Sequence, residues 1–187
     1  MKPLLVTFAG GTSGPWRVDR IEAVRGAALP LVGRLAVIEG PDARTPQSSV
    51  WTLRGITSNE RYVGVAERAE LVARQQPLAR PEATRAALIP ISKSEHWWNL
   101  TQEERQQIFT ERSSHTRIGL EYLPAVARRL HHGRDLAEEF DFLTWFEYPA
   151  VAAEAFEELV GRLREQPEWD YVEREIDIRL VRSPEDP

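Results

Sequence analysis

The stretch AFEELVGRLREQP (155–167) decides the fold, because a second stretch of the chain resembles it. Residues 66–77 read AERAELVARQQP, and both stretches place apolar residues at helical spacing. Two similar amphipathic helices in one chain favour a duplicated α+β unit of about 90 residues. The turn-rich stretch PLARPEA (77–83) marks the junction, so we predict an N-terminal half over 1–80 and a C-terminal half over 81–187.

Strand patterns surround both helices. Glycine-bounded or alternating apolar runs predict strands over 4–11, 16–26, 34–40, 49–57, 85–95, 140–148 and 173–181. Ser58 is a candidate cap for the first helix, and Thr101 with Glu104 forms a capping-box pattern for a helix over 101–112. A further helical stretch is expected around Pro124. Two antiparallel sheets packed face to face, with helices outside, would bury the alternating strands.

Composition excludes several classes of function. The chain has 187 residues, no cysteine and a net charge of −5. Disulfides, thiolate nucleophiles and iron–sulfur clusters are therefore excluded, and general nucleic-acid binding is disfavoured. The start MKPLLVTFAGG does not resemble a signal peptide, and no stretch is apolar enough to span a bilayer. These features predict a cytoplasmic protein without membrane or nucleic-acid partners.

Familiar catalytic motifs are missing from the sequence. No GxSxG, HExxH, GxGxxG or P-loop pattern occurs, and Ser113 and Ser114 beside His115 do not make a triad. His131 and His132 are adjacent, and on a helix they would point about 100° apart, which suits one metal poorly. Neither a serine hydrolase nor a mononuclear zinc enzyme is favoured.

The surroundings of His115 are the best remaining candidate for a site. Lys93, Trp97 and Trp98 precede it, Arg128 and Arg129 follow it, and Phe140, Phe142, Trp145 and Phe146 come later. Flat rings beside one histidine fit a haem pocket, in which imidazole binds iron from one side. On the residues alone, an alternative stays open: a solvated histidine, a core tryptophan pair and arginines on a solvated helix face.

Four blocks of sequence resemble the chlorite dismutases, and the chain is similar in length to their short-chain branch. The blocks are LRGITSNERYV (53–63), IPISKSEHWWNL (89–100), ERSSHTRIGLEYLPAVARRLHHGRDL (111–136) and FDFLTWFEY (140–148). The resemblance implies α+β architecture with duplicated ferredoxin-like units that form a dimeric α+β barrel. It implies haem b in the C-terminal half, a homodimer, and conversion of chlorite to chloride and dioxygen with O–O bond formation at the iron.

The resemblance also implies roles for individual residues. His115 matches the proximal haem ligand, and Arg128 matches the distal arginine, with Arg129 as the alternative if the alignment shifts by one. Glu168 matches the carboxylate that binds the proximal imidazole, and Lys93 joins this network. The expected haem contacts are Trp97, Trp98, Tyr62, Thr144 and Phe146.

The distance between His115 and Arg128 limits the local structure. An unbroken helix over these thirteen residues would be about 20 Å long, so the two side chains could not flank one iron atom. Pro124 lacks an N–H and disrupts helices. We therefore predict a break near Leu123–Pro124, with His115 and Arg128 on differently directed segments. The arginine is then a permanent cation for chlorite and other small anions.

Two rival functions remain at this point. A coproporphyrin-haem decarboxylase of the same superfamily generally lacks the distal arginine, so Arg128 argues against it. A cofactor-free dimeric barrel that acts as a binding module would not need His115 paired with Glu168.

Overall fold

Eight antiparallel strands close into one barrel in the computed structural model, which describes residues 3–41, 44–57, 77–109 and 115–183. The strands are β1 (Leu5–Gly11), β2 (Trp16–Arg25), β3 (Arg34–Glu39), β4 (Ser49–Thr57), β5 (Arg85–Lys93), β6 (Ala127–His132), β7 (Phe142–Tyr148) and β8 (Val172–Arg182). Their order around the barrel is β1-β3-β2-β8-β5-β7-β6-β4.

The two halves of the chain repeat one strand order. The first half is arranged β4-β1-β3-β2 and the second β8-β5-β7-β6, so each places its last strand beside its first. Pairing of β2 with β8 and of β4 with β6 joins the halves at both edges. The expectation of two sheets packed face to face is therefore wrong, because closure leaves no free strand edge between them. The residue 80 boundary itself stays a prediction.

Four α-helices lie in the described part of the second half. They are α1 (Glu95–Asn99), α2 (Gln102–Gln107), α3 (His115–Glu121) and α4 (Ala153–Arg164). The Ser94 hydroxyl caps α1, and the predicted capping box at α2 is confirmed, since Thr101 and Glu104 exchange both hydrogen bonds. The helix predicted after Ser58 lies outside the described residues.

Successive side chains of a strand point to opposite faces of the sheet, and the apolar ones form two clusters. In β8, Ile176, Ile178 and Leu180 point into the barrel, where they pack with aromatic rings including Phe8 and Trp145. The barrel is filled closely enough that a Cβ added at Gly10 would lie 2.3 Å from the Trp51 ring, so β1 requires glycine there. The second cluster lies outside the barrel, between the second-half strands and the helices.

The prediction of a helix around Pro124 is wrong. The segment is helical only up to Glu121, turns through residues 122–125 and continues as β6. Side chains of Ala127–His132 are buried on both faces of the strand. The sequence of this segment therefore shows neither the period of an amphipathic helix nor the alternation of a half-buried strand.

Candidate functional site

A turn separates His115 from Arg128, as the spacing predicts. His115 is the first residue of α3, and Arg128 is the second residue of β6. The turn between the two elements contains a cis peptide bond between Leu123 and Pro124. The predicted break is confirmed, because His115 lies in a helix and Arg128 in a strand.

Strand geometry distinguishes Arg128 from Arg129. Arg128 pairs in register with Phe146, and its Nη1 lies 3.0 Å from the position that a Cβ on Gly119 of α3 would occupy. Its guanidinium therefore packs against the helix that His115 begins. Arg129 points to the other face, where its Nε donates to His131 Nε2 at 3.0 Å and its Nη2 lies 2.6 Å from Glu39.

His131 and His132 lie on a strand and not on a helix, so they face opposite sides of the sheet. His131 is fully buried inside the barrel, and desolvation lowers its pKa to about 4. Its Nε2 accepts a hydrogen bond from Arg129, so its Nδ1 carries the proton and donates to the Leu143 carbonyl at 3.0 Å. His131 is thus a neutral core histidine. Within the described ranges, no three His, Asp or Glu side chains cluster as metal ligands would.

The outward face of β5, β6 and β7 forms a mainly apolar floor beside Arg128. Register pairs Ile89 with Thr144, Ile91 with Phe142, and Leu130 with Thr144. Ile118 of α3 packs into the same apolar cluster as Phe146. Leu130 is 39% exposed in a strand that has neighbours on both sides, so the floor is only partly covered. Thr144 and Phe146, which the family resemblance implies as haem contacts, both lie on this floor.

Lys93 ends β5 and is buried. Its ammonium donates to the Glu168 backbone carbonyl and lies 4.8 Å from the Trp97 ring centroid and 5.5 Å from that of Trp169. Desolvation lowers the pKa of Lys93 to about 8, and the Glu168 and Asp141 carboxylates oppose that shift. The structure therefore places Lys93 against the backbone of Glu168, the residue with which the family resemblance groups it.

Glu168 lies in a short 3-10 helix, Pro167–Tyr171, which we call the Glu168 turn. Only 1% of Glu168 is exposed. The turn is attached to the end of β5, since the Ser94 N–H donates to the Tyr171 carbonyl at 2.7 Å. Its position next to Lys93 places a carboxylate in the protein interior, where it needs cationic or hydrogen-bonding partners.

The two tryptophans of α1 have different surroundings. Trp97 is 1% exposed, and its indole N–H has no hydrogen-bond acceptor among the described residues. Trp98 donates to Asp141 at 3.2 Å, and the Arg134 guanidinium lies 3.8 Å from its ring centroid. Tyr62, the remaining predicted contact, lies outside the described residues.

Asp141 is a residue of this region that the sequence did not identify. It is buried, it accepts from the Lys93 backbone N–H at 2.7 Å and from Trp98, and its Oδ1 lies 3.3 Å from Arg134. One carboxylate thereby joins β5, α1 and the turn after β6. The stretch FDF offered only a single acidic residue between two aromatic ones, which is a weak signal.

Comparison with known proteins identifies a family. The family model described as "Chlorite dismutase" matches residues 44–183. A chlorite dismutase from Ideonella dechloratans is 38% identical over 86 residues, which are 46% of this chain and 28% of that protein. The chain thus matches less than a third of that relative's length.

Solved structures give the same grouping. The dimeric chlorite dismutase from Nitrobacter winogradskyi is 50% identical, with a TM-score of 0.88 over 95% of this chain and 99% of that one. A mutant chlorite dismutase from Candidatus Nitrospira defluvii in complex with cyanide is 22% identical, with a TM-score of 0.69 over 97% of this chain and 91% of that one. This second likeness concerns the fold alone.

Proposed function

Since the chain belongs to the chlorite dismutase family, we propose that it converts chlorite to chloride and dioxygen with the help of a bound haem b. One observation carries the proposal beyond family membership. The Arg128 guanidinium lies on the helix-facing side of β6, against Gly119 of the helix that His115 begins. The fold therefore brings a permanent cation to the segment that bears the proposed iron ligand.

The described residues fit an iron porphyrin. The floor of β5, β6 and β7 is mainly apolar, and it is open at Leu130, which is 39% exposed, so a flat macrocycle has a surface to pack on. The buried indole N–H of Trp97 has no acceptor among the residues that the structure describes. Because a buried donor without a partner is costly, a polar group of a bound molecule is a reasonable acceptor for it.

The proposed roles on the proximal side follow from ordinary acid–base chemistry. His115 would hold the haem iron through its imidazole, and the Glu168 carboxylate would accept the other N–H of that ring, which would hold its orientation and raise its basicity. Lys93 lies against the Glu168 turn and compensates part of the negative charge. Trp97, Trp98, Tyr62, Thr144 and Phe146 are the proposed contacts of the macrocycle.

Arg128 is proposed to attract chlorite and to hold it at the open side of the site. Its guanidinium stays protonated at every working pH, so the attraction does not switch off. The chain as a whole has a net charge of −5, and a fixed local cation offsets the weak repulsion of an anionic substrate. The haem, when bound, supplies the redox chemistry at iron by which both oxygen atoms of chlorite leave as dioxygen.

A homodimer and a cytoplasmic location complete the proposal. The 50% identical relative from Nitrobacter winogradskyi is described as dimeric, which supports a dimer for this chain. In the parts of the chain described here, the longest α-helix has 12 residues, and none meets the length and apolarity needed to cross a bilayer.

Oxygen evolution tests the proposed function. Haem-loaded protein is mixed with chlorite in an oxygen-electrode cell, and the chloride formed is measured in parallel. We expect one dioxygen and one chloride for each chlorite consumed. Chlorite loss without oxygen would contradict the proposal, and loss of propionate carboxyl groups from coproporphyrin haem would favour the decarboxylase instead.

A further inference from the structure

A series of charged side chains covers the outer face of β8. Glu175, Asp177 and Arg179 alternate on this face, and all three are buried although they are ionisable. Arg164 of α4 reaches both carboxylates, with its Nε 2.7 Å from Glu175 Oε1 and its Nη2 2.9 Å from Asp177 Oδ2. The series therefore connects α4 to the strand by ion pairs.

The end of this series touches the Glu168 turn. The indole N–H of Trp169 donates to Glu175 Oε2 at 2.8 Å, while Arg164 occupies the other oxygen of the same carboxylate. Glu175 is 1% exposed, so both of its oxygens need partners in the protein. With one donor on each oxygen, the carboxylate holds the Trp169 ring in one orientation.

Trp169 is the neighbour of Glu168 and covers Lys93. Its ring centroid lies 5.5 Å from Lys93 Nζ, and its backbone carbonyl accepts from Arg25 Nη1 at 3.0 Å. The Glu175 carboxylate also acts on Lys93, whose pKa it raises against the desolvation that lowers it. A shift of Trp169 would therefore move both the Glu168 backbone and one wall around the Lys93 ammonium.

We propose that Glu175, held by Arg164, is a positioning residue that orients Glu168 through the indole of Trp169. The proposal rests on the proposed function, since Glu168 matters to the iron only if haem is bound by His115. Glu175 and Arg164 do not touch the reacting atoms in this arrangement. They keep the proximal carboxylate in place and so adjust how strongly the axial imidazole donates to iron.

The ferric–ferrous midpoint potential of the haem-loaded protein tests this proposal. A carboxylate that accepts the imidazole N–H favours ferric iron, so a displaced Glu168 shifts the potential to more positive values. We expect such a shift for Trp169→Phe, which removes the indole donor and keeps an aromatic ring beside Lys93. Glu175→Leu should shift the potential as much, and Glu175→Gln less, because an amide oxygen still accepts from Trp169.

Glu157→Gln is the matched control. Glu157 lies at the far end of the same series, where its largely exposed side chain pairs with Arg179 at 3.0 Å. The control should keep the wild-type potential. Wild-type potentials in both Trp169→Phe and Glu175→Leu would overturn this inference while leaving the proposed function intact. Failure of the wild-type protein to bind haem would overturn both.

Discussion

Arg128 Nη1 lies 3.0 Å from the point that a Cβ on Gly119 would occupy, so the guanidinium rests on the backbone of α3. Gly119 comes four residues after His115, which is about one turn of the helix. The contact joins the two candidate residues of the site through a glycine that no sequence motif marked.

Replacing Gly119 with alanine should separate activity from stability. The added methyl group removes the flexibility of glycine, which favours the helix by up to about 1 kcal/mol. It also displaces the Arg128 guanidinium by a few tenths of an ångström, and we expect turnover to fall by a factor of roughly 2 to 10. Thermal unfolding and oxygen evolution measure the two effects.

Gly161→Ala in α4 is the control for that variant. A Cβ at Gly161 meets nothing within 4 Å, so this change should raise the melting temperature and leave turnover unchanged. If Gly119→Ala behaved in the same way, the contact with Arg128 would have no functional meaning.

The two neighbouring arginines should give opposite results. Arg128→Ala is expected to keep haem bound, to lower turnover about a hundredfold and to hasten bleaching, because the fixed positive charge beside the substrate is lost. Arg129→Ala should leave turnover near wild type and lower the free energy of unfolding by about 1 kcal/mol, because His131 and Glu39 lose their shared partner. Steady-state oxygen evolution and denaturant unfolding test the pair. A reversal of the two results would exchange their roles.

His115→Ala should abolish stable haem retention, since no second imidazole is proposed for the iron. The absorbance of the Soret band after haem addition and gel filtration is the measurement. His96→Ala is the control, because His96 is exposed and stacks on Tyr171 with ring centroids 5.4 Å apart. Equal retention in the two variants would mean that another residue binds the iron.

Acid should destabilise the barrel through His131. The pKa of this histidine is about 4 in the folded protein and about 6.5 in the unfolded chain, so the unfolded chain binds more protons between these values. Stability is therefore full above pH 6.5 and decreases by up to about 3 kcal/mol as the pH falls to 4. Urea unfolding across this range measures the slope, and His131→Gln should flatten it. An unchanged slope in that variant would assign the acid sensitivity to other groups.

Much of the fold could be predicted from local patterns. The alternation of polar and apolar residues in EREIDIRLV predicts β8, and Thr101 with Glu104 predicts the start of α2. Each of these signals is contained in a few consecutive residues. β6 was missed, since its six residues are buried in part on both faces and show no simple period. Its strand character depends on pairing with β4 and β7, which are distant in sequence.

The residues of the candidate site, like the elements of the fold, could be predicted only in part. Lys93 and Glu168 were identified through the family resemblance, and the structure brings them into contact. Asp141 and Glu175 were not identified, because a single acidic residue in a strand usually faces solvent. Only the packing of α1 and α4 over the barrel shows that these carboxylates are buried and which donors they meet.

The sequence by itself determined the family, the strand and helix types with strong local periodicity, and the break between His115 and Arg128 that Pro124 requires. Tertiary structure alone decided which of two adjacent arginines faces α3 and which enters the barrel. The reason is physical: successive residues of a strand point to opposite sides, and closure of the barrel determines what lies on each side.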